Sequence, residues 1–179
     1  MSKTEALDLL RELGAMETDH PGGNLYDHLV RVMRRLEEWE ADPTVCDAGL
    51  MHGLYVSDSS ACPLDTMIDL SERSRVAEII GPQAEDRVYL YGAADLEYTY
   101  PRLTKTSGQW RDRFTGDVRT LTTVQISDFM EITVANELDI AGHDRDPFEN
   151  PDPQLVELVT RARPFLSDAA KRHCAPLLA

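Results

Sequence analysis

Three histidines in the first third of the chain have the type and spacing best suited to chemistry. His28 lies in the segment LYDHLVRVMRRLEEW, His52 lies in VCDAGLMHGLYV, and His20 lies just upstream of both. Neutral imidazole is the commonest protein ligand for metals and also exchanges protons near neutral pH. The pattern therefore indicates a metal centre or an acid–base site, although a single buried histidine is more often a hydrogen-bonded core residue.

Helical periodicity predicts that two of these histidines point inward. At about 100° per residue, the helix that carries His28 has an apolar stripe formed by Leu25, Leu29, Val32, Leu36 and Trp39. His28 falls on the edge of that stripe, and His52 falls in the middle of the next helix's stripe, between Val45 and Val56. Both rings are expected to be at least partly buried.

A third helix, late in the chain, adds a carboxylate and an amide to the same interior. Its stripe places Glu137 near the centre of the buried face and Asn136 near the edge. A buried carboxylate is costly unless it is paired or binds a metal. Glu137 is thus either a surface residue out of phase with the pattern or a functional one.

Three further side chains are candidates for roles around the histidines. Tyr55 lies one turn after the second inward histidine and could donate a proton, or could be a core tyrosine with a satisfied hydroxyl. Asp58, in the following loop, could supply an oxygen. Arg73 could contact an anionic substrate group, or could form a surface ion pair with Glu72 or Glu78.

The elements that position these residues are predicted to be helices of one all-α domain. Its core spans residues 14–142, a helical extension spans residues 151–179, and a small β-hairpin is expected near residues 111–121. Segments with helical spacing or caps include TEALDLLREL, the two histidine segments, SERSRVAEIIG, PQAEDRVYLYGAADLEY and TTVQISDFMEITVANELDIAG. The sequence predicts about seven to nine helices.

Composition excludes several classes of function. The 179 residues carry a formal net charge of −14, which disfavours nucleic acid and anionic membrane surfaces as partners. Three widely spaced cysteines indicate neither a disulfide framework nor a cysteine zinc site, so we expect a cytoplasmic protein. The remaining expectation is a small-molecule substrate, with homo-oligomerisation left open.

Together, HLVRVMRRLEEW, VCDAGLMHGLYVSDS, ERSRVAEIIGPQAEDRVYLY and ITVANELDIAG resemble the His-Asp superfamily of helical metal-dependent phosphohydrolases and oxygenases. The layout is most similar to the hydrolase domain that acts on guanosine tetraphosphate. The chain also resembles a set of proteins that share an H…HL…AGLxHxxY pattern. The resemblance implies that His28 and His52 are metal ligands and that Asn136 stands at the position of the family's late aspartate. Gly53 replaces the aspartate of the His-Asp pair, so the resemblance does not extend to a dinuclear centre.

The sequence leaves two principal hypotheses open, with a third beside them. The first is a metal-dependent hydrolase or mononuclear oxygenase in which His20, His28 and His52 hold Fe, Zn, Mn, Ni or Cu. In this hypothesis Tyr55, Asn136 and Glu137 are catalytic, and Arg73 and Asp58 bind substrate. The second is a metal-free descendant that binds a small ligand or performs acid–base chemistry with His, Tyr and Asn. The third is a helical interaction module with an acidic surface.

Overall fold

The computed structural model describes residues 3–55, 67–103, 108–143 and 146–178. Within these ranges the chain forms nine α-helices and two short antiparallel hairpins. The helices are α1 (Lys3–Glu12), α2 (Leu25–Glu38), α3 (Pro43–Met51), α4 (Arg73–Ile80), α5 (Pro82–Gly92), α6 (Leu96–Leu103), α7 (Thr123–Ala141), α8 (Pro153–Ala162) and α9 (Asp168–Cys174). The strands are β1 (Asp19–His20), β2 (Gly23–Asn24), β3 (Gln109–Arg111) and β4 (Val118–Thr120). The predicted all-α class is confirmed.

Helices α2, α3 and α7 pack against one another and form the centre of the fold. Helix α2 begins as predicted after Asn24, whose side chain accepts a hydrogen bond from the backbone N–H of Asp27. Leu29, Val32 and Leu36 are completely buried on its inner face. Helix α3 approaches α2 closely because Gly49 has no side chain where Leu36 fills the space.

Helix α3 is shorter than predicted. It begins at Pro43, capped by Asp42, and ends at Met51, so His52 is the residue that caps its carboxyl end. His52 is nevertheless buried, as expected for its place in the apolar pattern. The proposed substrate residue Asp58 lies outside the described residues.

Helix α7 carries the late polar residues of the predicted site. It begins at a capping box, in which Thr122 and Gln125 exchange side-chain and backbone hydrogen bonds. More of its circumference is buried than in an amphipathic surface helix, because α2, α3, α5 and α8 all pack against it. Asn136 and Asp139 are consequently buried in the middle of the protein.

The hairpin expected near residues 111–121 is confirmed. Strand β3 pairs antiparallel with β4, and the turn between them includes Gly116 at a φ of +79°. A second hairpin, β1 with β2, was not predicted from the sequence. Its turn contains Gly22 at φ +90°, and a Cβ added there would lie 2.9 Å from Nη2 of Arg31. The glycine therefore allows the turn to lie close against α2.

One further sequence expectation needs correction. The segment predicted as one helix, PQAEDRVYLYGAADLEY, forms α5 and α6 with a break between them. At that break Asp95 caps the next turn by accepting from the backbone N–H of Tyr98. At the carboxyl terminus, the predicted helices after Pro153 and after the Ser167 cap are both present. No helix among the described residues is long and apolar enough to cross a membrane.

Candidate functional site

The site is built from two imidazoles that are anchored on opposite sides of one amide. Nδ1 of His28 lies 2.8 Å from Oδ2 of Asp139, and Nδ1 of His52 lies 2.7 Å from the backbone oxygen of Gly49. Each Nδ1 faces an oxygen that can only accept, so each Nδ1 carries the ring hydrogen. The Nε2 atoms of both rings are therefore the groups turned toward the centre of the site.

Asn136 lies between the two rings. Its Oδ1 is 3.0 Å from Nε2 of His28 and 3.0 Å from Nε2 of His52. The ring centroids of the two histidines are 5.4 Å apart in an edge-to-face arrangement. We define the histidine cluster as His28, His52 and Asn136 together with Asp139 and Glu137.

His52 cannot satisfy both of its oxygen neighbours with one hydrogen. Burial, followed by the neighbouring His28, lowers the pKa of His52 to about 4, so the ring is neutral at pH 7. A neutral imidazole has a single N–H, which the Gly49 oxygen already receives. The lone pair of Nε2 then points at the Asn136 oxygen, an unfavourable contact unless the amide turns over or a cation lies between them.

His20 joins the histidine cluster from its exposed side. Its ring stacks on His28 with centroids 3.9 Å apart, and its Nδ1 lies 3.1 Å from the backbone oxygen of Pro21. Burial, with the nearby His28 next, lowers the pKa of His20 to about 4. A stacked ring presents its face to its neighbour, so His20 does not converge with the other two Nε2 atoms as a third nitrogen.

Asp139 orients His28 and is itself held by arginine. Nε of Arg31 lies 2.9 Å from Oδ1 and Nη2 lies 2.9 Å from Oδ2 of this carboxylate. Nη1 of Arg35 is 3.8 Å from Oδ1. Burial alone would raise the pKa of Asp139, but the hydrogen bonds from His28 and Arg31 outweigh it and lower the pKa to about 2.

Glu137 lies beside the amide and is only partly buried. Nδ2 of Asn136 donates to Oε1 of Glu137 over 3.0 Å. Burial raises the pKa of the Glu137 carboxyl, against the opposing effect of that hydrogen bond and of His28. Helical periodicity predicts Glu137 at the centre of the buried face and Asn136 at its edge. In the structure Asn136 is buried and Glu137 is only partly buried. Because α7 packs on several helices, no single stripe defined its inner side.

Tyr55 and Arg73 belong to a different cluster, centred on the buried carboxylate of Glu85. The Tyr55 hydroxyl donates to Oε1 over 2.7 Å, and Arg73 donates from Nε over 2.6 Å and from Nη2 over 2.8 Å. The Arg73 guanidinium also lies over the ring of Tyr89, 3.7 Å from its centroid. We call Tyr55, Arg73, Glu85 and Tyr89 the Glu85 cluster. The ion-pair partner of Arg73 is therefore neither Glu72 nor Glu78.

Sequence reasoning does not identify two important residues of the site, Asp139 and Tyr91. Asp139 was overlooked because it looks like an ordinary acid near a helix end, yet it lies one turn after Asn136 on the same face. Tyr91 was read only as part of a helix, and its ring packs edge-to-face against His52 with centroids 5.3 Å apart. The i, i+3 spacing of Asn136 and Asp139 was the available signal.

The two cysteines that the structure describes are in environments that do not activate a thiol. Cys46 and Cys174 are free and buried, and burial raises the pKa of each thiol to about 11. Neither is a thiolate at neutral pH. Among the described residues, no three His, Cys, Asp or Glu side chains form a group that could hold a metal ion without help from another residue type.

Fold and site together define a mostly helical protein with a buried histidine–amide–carboxylate cluster. The model of a family described as a domain of unknown function, DUF6817, matches residues 9–96. The match includes all three histidines of the site and ends before α7, which carries Asn136 and Asp139. Comparisons with curated proteins and with solved structures found no match. Membership of the His-Asp superfamily is not shown by these findings.

Proposed function

We propose that this protein is a metal-dependent enzyme that acts on a small molecule at the histidine cluster. The observation that carries the proposal is the neutral His52 ring, which has one hydrogen and two oxygen neighbours. A cation that accepts the Nε2 lone pair and the Asn136 oxygen would remove this mismatch. Metal-bound histidines usually donate their other ring N–H to a carboxylate or a backbone carbonyl, which is how His28 and His52 are held.

The donor atoms also have suitable spacing for one ion. Ligands about 2.1 Å from a metal lie about 3.0 Å apart at the right angles of a six-coordinate ion and about 3.4 Å apart at tetrahedral angles. Oδ1 of Asn136 lies 3.0 Å from each Nε2 atom. The residues that would hold the metal are His28 and His52 through Nε2 and Asn136 through Oδ1, with the Glu137 carboxylate adjacent. Two imidazoles favour Zn, Fe, Ni or Cu over Mg or Ca.

The chain's own residues have separate roles in this proposal. Asp139 and the Gly49 oxygen fix the two ring orientations, and Arg31 keeps Asp139 ionised. Glu137, whose pKa is raised by burial, can hold or release a proton at its carboxyl group beside the bound substrate. Glu137 of the histidine cluster and the adjacent His20 are partly exposed, and a small molecule would enter from their side. The metal would supply Lewis-acid polarisation of a substrate oxygen.

The resemblance to the His-Asp superfamily supports the same reading through residues in the same places. His28 and His52 stand at its histidine positions, and Asn136 stands at its late aspartate. With one metal and an amide ligand, the reaction is of the hydrolase or mononuclear oxygenase type. Tyr55 and Arg73 do not act on the substrate in this proposal, because both are bound to Glu85.

The test is metal binding by protein purified without a tag. Elemental analysis should find one equivalent of a transition metal, and calorimetric titration of chelator-treated protein with Zn²⁺ should show one site. His28→Ala and His52→Ala should each weaken binding by more than the 10- to 100-fold typical of an outer-shell change. His173→Ala is the matched control and should leave the affinity unchanged. Protein that contains no metal and gives no calorimetric binding would contradict the proposal.

A second candidate function rests on the alternative orientation of one amide. If Asn136 turns over, its two Nδ2 hydrogens can donate to the two Nε2 atoms, and Oδ1 can accept from a protonated Glu137. The cluster would then be complete without metal and could bind a small ligand or perform acid–base chemistry. Histidine ¹⁵N spectra of chelator-treated protein that are unchanged by Zn²⁺ would favour this candidate.

A further inference from the structure

A groove beside α2 is lined by more cationic than acidic side chains, unlike the chain as a whole. It lies between α1 and α2 and has a volume of about 360 Å³. Three of the side chains that line it are cations, Lys3, Arg31 and Arg34, and one is a carboxylate, Asp27. In a protein of net charge −14, a groove lined by three cationic side chains and one carboxylate is a specific feature.

The three cationic side chains of the groove differ in the partners that they already have. Lys3 is paired with Glu37 at the rim, over 2.7 Å. Arg31 uses Nε and Nη2 on Asp139, and its Nη1 has no hydrogen-bond partner among the described residues. Arg34 is exposed and makes no hydrogen bond or ion pair with any residue that the structure describes. Both arginines line the groove, and the Arg34 guanidinium and Nη1 of Arg31 have no acceptor among the residues that the structure describes.

The single acid of the groove is already engaged. One carboxylate oxygen of Asp27 accepts from Nδ2 of Asn24, over 3.0 Å, at the start of α2. The rest of the lining is apolar or aromatic, and it includes Leu7, Tyr26, Val30 and Met33. Met33 is almost completely buried and belongs to the hydrophobic core. The groove thus combines free donors for an anion with an apolar surface beside them.

We propose that this groove binds a small organic oxyanion, with Arg34 and Nη1 of Arg31 contacting a phosphate or carboxylate group and the apolar lining contacting the rest of the molecule. Planar guanidinium donors match the oxygen spacing of both groups. The site is separate from the histidine cluster, but Arg31 lies on α2 at the border between the two and contacts both. Binding here does not depend on the metal proposed for the histidines.

NMR titration of the chelator-treated full chain tests the proposal. Phenyl phosphate, benzoate and inorganic phosphate are the probes, and the backbone amides of residues 26–34 are the readout. Phenyl phosphate should produce saturable shifts confined to α1 and α2, and it should bind on the order of tenfold more tightly than inorganic phosphate because its ring contacts the apolar lining. The response to benzoate distinguishes a general carboxylate site from a phosphate site.

Arg34→Gln should weaken phenyl phosphate binding about tenfold, the loss expected for one charge-assisted hydrogen bond. Arg172→Gln, an exposed arginine on α9 with no contact to the groove, is the matched control and should change the affinity by less than twofold. Equal losses in both variants would show nonspecific attraction by charge and overturn the proposal. So would shifts at the histidines instead of the groove, or no saturable shift up to about 10 mM ligand.

Discussion

The histidine cluster and the Glu85 cluster are neighbours in sequence, since His52 and Tyr55 are three residues apart, and they differ in how their donors and acceptors match. Around Glu85, three donor groups from Tyr55 and Arg73 meet one carboxylate, and every hydrogen bond has a donor and an acceptor. Around Asn136, the neutral His52 has one hydrogen for two oxygens. A matched buried network stabilises a fold, whereas the mismatch at Asn136 is what the proposed metal, or a turned amide, would remove.

The largest expected effect is the loss of the matched network. Glu85→Ala leaves the buried Tyr55 hydroxyl without an acceptor and Arg73 without its carboxylate. We expect the free energy of unfolding to fall by about 3.5 kcal/mol, toward the lower end of the range for breaking a buried charge pair, because the Arg73 side chain is 34% exposed. Urea unfolding followed by circular dichroism measures this loss.

The control for that variant is Asp86→Ala on the next residue. The Asp86 side chain is 83% exposed and lies 3.6 Å from Arg73, so its removal should change stability by less than about 1 kcal/mol. Both variants should bind Zn²⁺ as the parent does when folded. Similar destabilisation by the two substitutions would mean that the Glu85 cluster is not a structural network.

The second effect is a pH dependence that arises from the buried His52. Its folded pKa of about 4 is below the unfolded value of 6.5, so the unfolded chain binds more protons between these values. Stability is therefore complete above pH 6.5 and falls by about 3 kcal/mol as the pH drops to 4. Urea titrations of chelator-treated protein at pH 7, 5.5 and 4 measure it.

His20 titrates in the same range, because its pKa is also lowered to about 4. The two contributions are separated with His20→Gln and His52→Gln, neither of which adds a titrating group. We expect the pH slope to decrease more in His52→Gln than in His20→Gln, since His20 is partly exposed. A slope retained in full by His52→Gln would place the titration elsewhere.

Much of the fold followed from local sequence signals. Asn24 caps α2, the apolar spacing of α2 identified its inner face, and Gly116 lies in the turn of the predicted β3–β4 hairpin. These features depend on neighbouring residues alone, so periodicity and turn chemistry predict them. The inward direction of His28 and His52 followed from the same periodicity.

The contacts that define the site depend on residues far apart in sequence. Asp139 meets His28 across 111 positions, and Glu85 meets Tyr55 across 30. The i, i+3 spacing places Asp139 on the same face of α7 as Asn136, but no local feature of the sequence identifies His28 as its partner. The split between α5 and α6 was also missed, because at the break the backbone N–H of Asp95 donates to the distant Arg111 oxygen, over 2.9 Å, instead of continuing a helix.

A smaller effect arises from Asp139, the residue that connects α7 with His28 and Arg31. Its folded pKa of about 2 is below the ordinary value of 3.8, so its stabilising contribution is present above pH 4 and is lost as the pH falls toward 2. The contribution is about 2 kcal/mol. The slope of stability against pH in this range should be smaller in Asp139→Asn than in the parent.

Asp139→Asn also sharpens the comparison of the clusters. Asparagine keeps one oxygen that can accept from His28, so the fold should survive at neutral pH. The charge that favours the Nδ1 hydrogen is lost, and Zn²⁺ affinity should fall 10- to 100-fold. Unchanged affinity would argue that the carboxylate does not orient a metal ligand.

The smallest expected effect is that of a helix-cap variant of α7, which tests whether the stability of this helix and its Zn²⁺ binding are independent. Thr122→Ala removes the oxygen that accepts from the backbone N–H of Gln125 at the start of the helix, 14 residues before Asn136. The free energy of unfolding should fall by about 1 kcal/mol, the usual effect of losing a threonine cap. Zn²⁺ affinity and the histidine ¹⁵N shifts should not change, because none of the cluster's contacts involves this turn. If Thr122→Ala weakens Zn²⁺ binding as much as Asp139→Asn does, metal binding responds to the general stability of α7 rather than to the orientation of His28. Calorimetric titration of the two variants at the same pH decides between these accounts.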